Sequence, residues 1–282
     1  MSRDLDALTA CTLKHLRERW WDDAFAKFLE EVLQPRTGSR LLEVGCGPGT
    51  AAFSLAAAGL RDAMFVGVDI AVEKLASAVA ERRPPDGMRV TFAAGDGAAL
   101  PFGCATFDST FCVAVLQHAN AVDEPIREFA RVTRPGGRIL VVEPDNSARY
   151  WFSSAESGMQ AFEIASRFYN AVALSRGDTT DPAVGPKLPE LFALHGIQPL
   201  SVRMFPVSVT RLGNPPWEVW ENRLETARQA ASRARDDSIK RLGIEYGRVL
   251  ERYAEEAAVA GRDLVEIQST LLFATVGRRL AE

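Results

Sequence analysis

A glycine-rich segment, EVGCGPGT over residues 43–50, stands where an apolar run gives way to a helical pattern. Glycines at such a junction let the backbone turn sharply and approach a ligand without a Cβ clash. The free N–H groups at the start of the following helix favour a polar or anionic group. The segment therefore predicts a loop that binds a ligand against its backbone.

Two kinds of ligand are compatible with a glycine loop after a strand. The dinucleotide-binding fingerprint is G-x-G-x-x-G, with an acidic residue about 20 positions later. Here the third glycine is Gly49, so the pattern is G-x-G-x-G and Thr50 takes the last fingerprint position. Glu43 also stands two residues before the first glycine, which the dinucleotide pattern does not require. These departures count against a nicotinamide cofactor.

Other polar residues follow apolar runs that are typical of buried strands. Asp69 ends one such run, Asp96 lies between two glycines, and Gln117-His118 comes shortly after a third run. Doubly wound sheets bind ligands at the carboxyl ends of their strands. Each position also has a structural alternative, which is a helix N-cap for Asp69, a turn residue for Asp96 and an ordinary loop histidine for His118.

Five segments of the chain together resemble the motifs of Rossmann-like, class I methyltransferases that depend on S-adenosylmethionine. The resemblance is to the type 11 methyltransferase domain and, within it, to ubiquinone and menaquinone C-methyltransferases. The segments stand in the family's order over about a third of the chain. They are EVGCGPG at 43–49, VGVDI at 66–70, GDGAALPF at 95–102, FD and LQH within 107–118, and RPGGR at 134–138.

The resemblance implies that the chain binds S-adenosylmethionine and releases S-adenosylhomocysteine. It implies that Asp69 holds the ribose hydroxyls and that Asp96 meets the adenine amino group. Ile70 and Ala98 are expected to enclose the adenine, and Glu43 to act on the methionine end through water or the loop amides. The full set of expected cofactor contacts is Arg19, Glu43, Gly45, Cys46, Gly47, Gly49, Asp69, Ile70, Asp96, Gly97, Ala98, Cys112 and Gln117.

The segment after the fourth strand and the first helix complete the expected site. The family often has two histidines after that strand, and this chain has Gln117-His118. Gln117 is therefore expected to reach the cofactor, whereas His118 faces the methyl acceptor and is the expected catalytic residue. Arg19, on the first predicted helix, is expected to pair with the cofactor carboxylate. No metal is expected.

A further motif, NPPW at 214–217, matches the N-P-P-[FYW] motif of enzymes that methylate amide or adenine nitrogens. In those enzymes the motif follows the fourth strand, a place that residues 115–118 take here. Residues 214–217 are therefore expected to form a turn followed by the start of a helix.

The composition narrows the class of protein. The chain has 282 residues, a net charge of −4, 47% hydrophobic and 25% charged residues, a mixture typical of globular proteins. The charge argues against nucleic-acid binding through bulk positive charge. The chain has no apolar stretch of about 18 residues, no signal-peptide pattern in its first ten residues and no CxxC pairing among its four cysteines. These features predict a cytoplasmic protein with reduced thiols and neither membrane nor nucleic-acid partners.

Short apolar runs alternate with helical patterns from residue 40 onward. This alternation predicts an α/β fold, a doubly wound and mostly parallel sheet with helices on both faces; the resemblance implies seven strands. Strands are expected at 41–44, 64–69, 88–92, 107–113 and 138–143, with a tight turn at 134–137. The expected boundaries are an N-terminal helical segment (1–38), the cofactor-binding core (39–146), a helical cap insertion (147–186), more core (187–211), a second cap insertion (212–262) and the final core strand (263–282).

All five tryptophans and all four tyrosines lie outside residues 40–143. Two interpretations are open. Large rings could pack helical insertions onto the core, or they could line a cavity suited to an apolar or aromatic methyl acceptor.

The expected chemistry is an in-line displacement at a sulfonium methyl group. The enzyme mainly positions the reactants and excludes water, and it needs a base only where the acceptor must lose a proton. The sequence predicts methyl transfer from S-adenosylmethionine to a small, apolar or aromatic organic acceptor. The alternatives are a methyltransferase acting on protein or RNA, a cofactor-binding protein without catalysis, and a nicotinamide-linked reductase.

Overall fold

The computed structural model of the chain describes residues 23–57, 62–81, 88–175, 177 and 180–281. The strands are β1 (Arg40–Val44), β2 (Met64–Asp69), β3 (Arg89–Ala94), β4 (Phe107–Val113), β5 (Thr133–Ser153), β6 (Ile197–Leu212) and β7 (Val265–Arg279). The helices are α1 (Asp23–Leu33), α2 (Thr50–Ala57), α3 (Val72–Glu81), α4 (Asp123–Val132), α5 (Glu156–Ser175), α6 (Val184–Leu194), α7 (Trp217–Arg233) and α8 (Asp237–Ala260). Short 3-10 turns cover Leu116–His118 and Gly261–Asp263.

The strands form a seven-stranded sheet in the order β3-β2-β1-β4-β5-β7-β6. β1 pairs in parallel with both β2 and β4, and the pairs β2–β3 and β4–β5 are parallel as well. The strand order reverses between β1 and β4, and the crevice at such a switch point is where doubly wound sheets bind ligands. The predicted fold class is confirmed.

The central strands are built from near-continuous apolar runs, as expected for strands covered on both faces. Val44 of β1, Phe129 of α4 and Phe192 of α6 are buried in one cluster of this core. On α4, Ile126, Phe129 and Val132 recur every three residues, so the helix presents one apolar stripe. The sheet edge that carries the glycine loop is therefore held by a well-packed core.

The fifth strand differs from its prediction. Residues 134–137 were expected to form a tight turn before a strand at 138–143, but β5 extends from Thr133 to Ser153. Its register against β4 shifts, because Phe107 pairs with Thr133 whereas Ser109 pairs with Arg138. The RPGG segment forms an irregularity inside the strand, with Gly136 at a φ of +78°, a conformation that glycine adopts without a steric cost.

The described residues fall into two compact units. One contains described residues within 19–147, 180–205 and 271–282, and the other contains those within 148–179 and 206–270. The first unit holds β1 to β4, the glycine loop and the apolar cluster described above. The second unit holds α5, α7 and α8 around a separate cluster. The domain boundaries inferred from the sequence stay a prediction.

The aromatic side chains of the second unit act mainly as packing residues. Of the seven tryptophans and tyrosines that the structure describes, five are buried in the cluster of this unit, namely Trp151, Tyr169, Trp220, Tyr246 and Tyr253. Trp217 and Tyr150 are exposed. These five rings therefore pack the helices of the second unit against one another.

Two local predictions in the second unit have clear outcomes. The NPPW segment is a turn that leads into α7, since the helix begins at Trp217 and Asn214 Oδ1 accepts a hydrogen bond from Trp220 Nε1 at 2.9 Å. The continuous helical stretch expected from 217 to 256 is two helices. Asp236 separates them, because its carboxylate caps α8 by accepting from the backbone N–H of Ser238 and Ile239.

The predicted N-terminal helix is described only from Asp23, and it ends at Leu33. The earlier part of that prediction, with Arg19, Trp20 and Trp21, lies outside the described residues. No helix in the described ranges is both long and apolar enough to cross a membrane.

Candidate active site

The glycine loop joins β1 to α2 and is tied to the end of β2. The N–H groups of Gly45 and Cys46 both donate to the carbonyl oxygen of Val68, at 2.7 and 3.0 Å. Gly45, Gly47 and Gly49 all have a φ between +51° and +72°, where residues with a Cβ are strained. The three glycines are therefore required by the path of the backbone.

Two of these glycines also set the space around the loop. A Cβ at Gly45 would lie 2.2 Å from Val115 Cγ2, so only glycine fits against that side chain. A Cβ at Gly47 would meet no atom of the described residues within 4 Å. The loop is thus packed on one side and open on the other, as a surface for a ligand must be.

Asp69 organises the glycine loop from the carboxyl end of β2. Its side chain is buried, Oδ2 accepts from the N–H of Gly47 at 2.7 Å, and Oδ1 accepts from the N–H of Ala71 at 2.8 Å. An ionised carboxylate has about four acceptor positions, so capacity remains for two ligand hydroxyls. The next residue, Ile70, exposes 75% of its surface and offers an apolar platform beside this carboxylate.

Glu43 is a buried carboxyl group on β1, two residues before Gly45. Its Oε2 atom has no hydrogen-bond partner within the described part of the chain. Burial raises the pKa of Glu43 well above its usual range, and the negative charge of Asp69 raises it further. Burying such a group without a partner is unfavourable. Glu43 Oε2 is therefore a hydrogen-bond acceptor beside the loop that a ligand could use. A cationic or N–H-bearing ligand would satisfy it.

Replacing Glu43 with glutamine should stabilise the free protein and weaken ligand binding. Folding raises the pKa of Glu43, so the native state keeps a proton that the unfolded state releases above about pH 4.3. The stability of the protein therefore falls as the pH rises from that value toward the raised pKa of the folded state. The glutamine variant cannot ionise, so its free energy of unfolding should exceed the wild-type value by about 1–3 kcal/mol at neutral pH. Chemical denaturation from pH 5 to 8 measures this difference.

The matched control for this variant is Glu30→Gln, which changes an exposed carboxyl on α1. Its stability should follow the wild-type pH profile. Parallel profiles for Glu43→Gln and wild type would show that Glu43 carries no such penalty.

The loop after β3 carries the Asp96 segment. Asp96 is exposed, and its Oδ1 accepts from the N–H of Ala98 at 2.9 Å. A Cβ at Gly97 would lie 3.0 Å from Val44 Cγ1, so this loop runs close to the end of β1. The structure therefore brings Asp96, Gly97 and Ala98 to the same sheet edge as the glycine loop. The hydrogen bond from Ala98 to Asp96 shows that Asp96 is a turn residue, as the structural alternative predicts. This bond leaves a ligand role for Asp96 open.

A half-buried ion pair on α4, which the sequence analysis missed, fixes the end of this loop. Glu128 Oε2 accepts from the N–H of Leu100 at 2.7 Å, and Arg131 donates to the carbonyl oxygens of Leu100 and Phe102 at 3.0 and 2.7 Å. The hydrogen bond from Arg131 lowers the pKa of Glu128. The i, i+3 spacing of Glu128 and Arg131 on a helix could have predicted the ion pair. It could not have predicted the contact with Leu100, which lies 28 residues away in the sequence.

The segment after β4 places Gln117 and His118 at the same edge. Gln117 is half-buried, and its side-chain amide donates to the carbonyl oxygen of Ala114 at 3.3 Å. His118 is exposed at the end of the short 3-10 turn. His195, expected to be structural, has its Nε2 atom 2.8 Å from Asp123 Oδ1.

The two cysteines of the predicted site are core thiols. Cys112 is fully buried on β4, and burial followed by the charges of Glu143 and Glu43 raises its thiol pKa. Its side chain therefore offers no accessible surface to a ligand in this structure. Cys46 is also buried, and its thiol pKa is raised by burial and by Glu43 and Asp69, so it is not a nucleophile. The assignment of both as cofactor contacts stays a prediction.

Two other parts of the prediction can be placed only partly. Arg19 lies outside the described residues. Among the residues that the structure does describe, no group of three or more His, Cys, Asp or Glu side chains is arranged to hold a metal ion.

Comparison with known proteins gives this site a class. Residues 42–141 match the family described as a methyltransferase domain. The chain is 30% identical over 152 residues to O-methyltransferase cnsE of Penicillium expansum, which is 49% of this chain and 54% of that protein. It is 34% identical over 139 residues to 27-O-demethylrifamycin SV methyltransferase of Amycolatopsis mediterranei, 45% of this chain and 50% of that protein.

A third relative has a similarly limited overlap. The chain is 38% identical over 106 residues to demethylmenaquinone methyltransferase of Renibacterium salmoninarum, covering 38% of this chain and 41% of that protein. The chain thus spans about half the length of the relatives it matches. The family match, over residues 42–141, covers β1 to β4 and the first part of β5.

Solved structures agree on the fold. The YcgJ protein of Bacillus subtilis superposes with a TM-score of 0.55 at 16% identity, over 91% of this chain and 98% of that chain. A SAM-dependent methyltransferase of Methanosarcina mazei gives 0.54 at 14% identity, over 90% of this chain and 98% of that chain. These likenesses concern the fold alone.

The fold and the match over residues 42–141 agree with the predicted resemblance to a methyltransferase domain. The predicted methyltransferase domain, and S-adenosylmethionine as the cofactor that such a domain uses, are confirmed at this level.

Proposed function

We propose that the chain transfers the methyl group of S-adenosylmethionine to a small organic acceptor. The observation that carries this proposal is the buried, unpartnered Oε2 of Glu43 beside an open glycine loop. The anionic pyrophosphate of a dinucleotide has no donor for that acceptor, whereas the α-ammonium group of S-adenosylmethionine would supply N–H donors, directly or through water. The pattern of acidic residues therefore fits a cationic amino-acid nucleoside.

Each described residue at this edge then has a specific task. Glu43 would hold the methionine end, Asp69 the two ribose hydroxyls, and Asp96 the adenine amino group. Ile70 and Ala98 would give the adenine an apolar surface. The bound cofactor supplies a sulfonium-activated methyl carbon, so the remaining task of the chain is to orient an acceptor in line with it and to exclude water. Such positioning contributes roughly 7–11 kcal/mol to catalysis.

We propose further that the acceptor is apolar or aromatic and is not a nucleic acid. The names of two relatives place their substrates among small molecules, and two names place the methyl group on oxygen. The net charge of −4 offers no bulk attraction to nucleic acid. Where an acceptor hydroxyl must lose its proton, His118 is the exposed imidazole at this edge that would accept it.

A labelled-methyl screen tests this proposal. The purified chain is incubated with S-adenosylmethionine carrying a ¹⁴C methyl group and with separate pools of phenols, aliphatic alcohols, quinols, RNA and protein. Label should appear in an organic-extractable small molecule. Transfer confined to the RNA or protein pool would contradict the proposed substrate class.

A pair of histidine variants tests the role given to His118 in the same screen. His118→Ala should lower the turnover of a hydroxyl acceptor by about 10²–10⁴-fold, the usual contribution of a general base. His195→Ala removes a histidine that pairs with Asp123 and should retain turnover. Equal activity of the two variants would remove His118 from the chemistry.

A further inference from the structure

The middle of β5 carries a fully buried glutamate, Glu143, that holds the backbone of the segment after β4. Glu143 Oε1 accepts from the N–H groups of Val115 and Leu116 at 2.7 and 2.6 Å, and Oε2 accepts from the N–H of Gln117 at 3.2 Å. Three successive backbone donors therefore converge on one carboxylate. Charge-assisted bonds of this kind are about twice as strong as neutral ones.

The segment that Glu143 holds has a backbone that would not keep its shape alone. Ala114 has a φ of +57°, a conformation that is strained for a non-glycine residue and persists only where its surroundings fix it. The 3-10 turn that follows spans only Leu116–His118. Glu143 provides the surrounding contact, because it satisfies the three donors at the start of that turn.

Asn146, three residues further along β5, holds the side chain of the same segment. Its Nδ2 donates to Gln117 Oε1 at 2.8 Å, while the side-chain nitrogen Nε2 of Gln117 donates to the carbonyl oxygen of Ala114 at 3.3 Å. Gln117 is therefore fixed at both ends of its amide group. Glu143 thus holds the backbone of residues 115–117, and Asn146 holds the side chain of Gln117, the residue before His118.

The same segment also touches the glycine loop. Val115 packs so closely on Gly45 that a Cβ there would lie 2.2 Å from Val115 Cγ2. Protein interiors transmit small displacements because they are close-packed. A change at Glu143 would consequently move Val115, and with it the contact between the segment after β4 and the cofactor loop.

We propose that Glu143 and Asn146 are positioning residues for methyl transfer, holding residues 114–118 so that Gln117 and His118 face the reacting groups. This inference rests on the proposed function. Neither residue needs to touch cofactor or acceptor. A misplacement of about 1 Å at a reacting group can lower turnover about 10²-fold, which is the effect expected when this support is lost.

Amide hydrogen exchange on the full chain tests the support itself. In Glu143→Ala, the amides of Val115, Leu116 and Gln117 should all exchange at least about tenfold faster than in wild type. In Glu143→Gln, the remaining carbonyl oxygen can replace Oε1, so only the Gln117 amide should lose protection. The matched control is Asp145→Asn, since Asp145 is a buried neighbour that, among the described residues, accepts hydrogen bonds from Ser147. This variant should retain the protection of all three amides.

Turnover separates positioning from mere stability. With the acceptor found in the screen, Glu143→Ala and Asn146→Ala should lower kcat about 10²-fold, while the dissociation constant of S-adenosylhomocysteine rises by a smaller factor, about tenfold or less. Asp145→Asn should leave both values near wild type. If Glu143→Ala does not fold, Glu143→Gln and Asn146→Ala carry the test alone.

The outcomes are distinguishable from those of the proposed function. Unchanged exchange of residues 115–117 in the Glu143 variants, or faster exchange with unchanged kcat, would overturn the positioning role. Failure of the wild-type chain to bind S-adenosylhomocysteine would overturn the proposed function instead, and the exchange data would still decide whether Glu143 holds the segment.

Discussion

Replacing Asp69 with alanine is expected to weaken the binding of S-adenosylhomocysteine by about 10²-fold or more. The carboxylate accepts from the N–H of Gly47 at 2.7 Å and of Ala71 at 2.8 Å, and in the proposed complex it also accepts from the ribose. Each hydrogen bond to a charged group contributes roughly 1.5–3 kcal/mol. Losing both the ligand contacts and the anchor of the loop should therefore raise the dissociation constant more than 10²-fold.

Calorimetric titration of the Asp69→Ala variant with S-adenosylhomocysteine measures this effect. Asp96→Ala is the comparison, because Asp96 is exposed and its Oδ1 caps only its own turn at Ala98. That variant should lose about tenfold or less in affinity. If Asp69→Ala binds as tightly as wild type, the acidic residue at the end of β2 does not hold the ligand.

Replacing Arg223 with alanine is expected to lower the free energy of unfolding by about 3–5 kcal/mol. Arg223 is buried in the second unit and donates to both carboxylate oxygens of Glu266, at 2.9 and 3.1 Å. Tyr253 and Arg211 donate to the same carboxylate at 2.5 and 2.7 Å. Removal of Arg223 leaves Glu266 buried with its charge only partly compensated.

The control for this variant lies on the same helix. Arg228 pairs with Glu251 at 3.5 Å with both side chains more than half exposed, so Arg228→Ala should change stability by less than about 1 kcal/mol. Chemical denaturation of the two variants gives the comparison. Equal stabilities would show that the Arg223–Glu266 pair contributes no more than a surface pair.

The same pair predicts a pH dependence. Burial opposes ionisation of Glu266, yet the Arg223 charge and hydrogen bonds hold the pKa of this carboxyl below its usual range. A carboxyl whose pKa is lowered by folding contributes stability above its unfolded pKa and loses it as the pH falls through the folded value. Wild type should therefore lose stability below about pH 4, and Arg223→Ala should lose less over the same range.

The glycine loop and its strands were predictable because their signals are local. Apolar runs set β2 and β4 to within the observed bounds, and the glycines at 45, 47 and 49 all have positive φ. Asp69 was predictable because an acidic residue directly ends a buried strand. In each case a few neighbouring residues determine the backbone path.

The parts that sequence reasoning missed depend on contacts between distant segments. β5 continues to Ser153, well beyond its expected end at residue 143. Glu143 lies 26–28 residues from the amides it holds, so its role as a support has no local signal. The Glu128–Arg131 pair similarly looks like an ordinary surface pair on a helix until its contacts with Leu100 and Phe102 are seen.

The central claim is that the carboxyl edge of β1 and β2 binds S-adenosylmethionine, and parallel calorimetric titration of the wild-type chain tests it most directly. S-adenosylmethionine, S-adenosylhomocysteine and NADH would be titrated into the same preparation. Micromolar binding of the two sulfur nucleosides, with no heat from NADH, is the predicted result. Binding of NADH alone, or of none of the three to a well-folded chain, would contradict the claim.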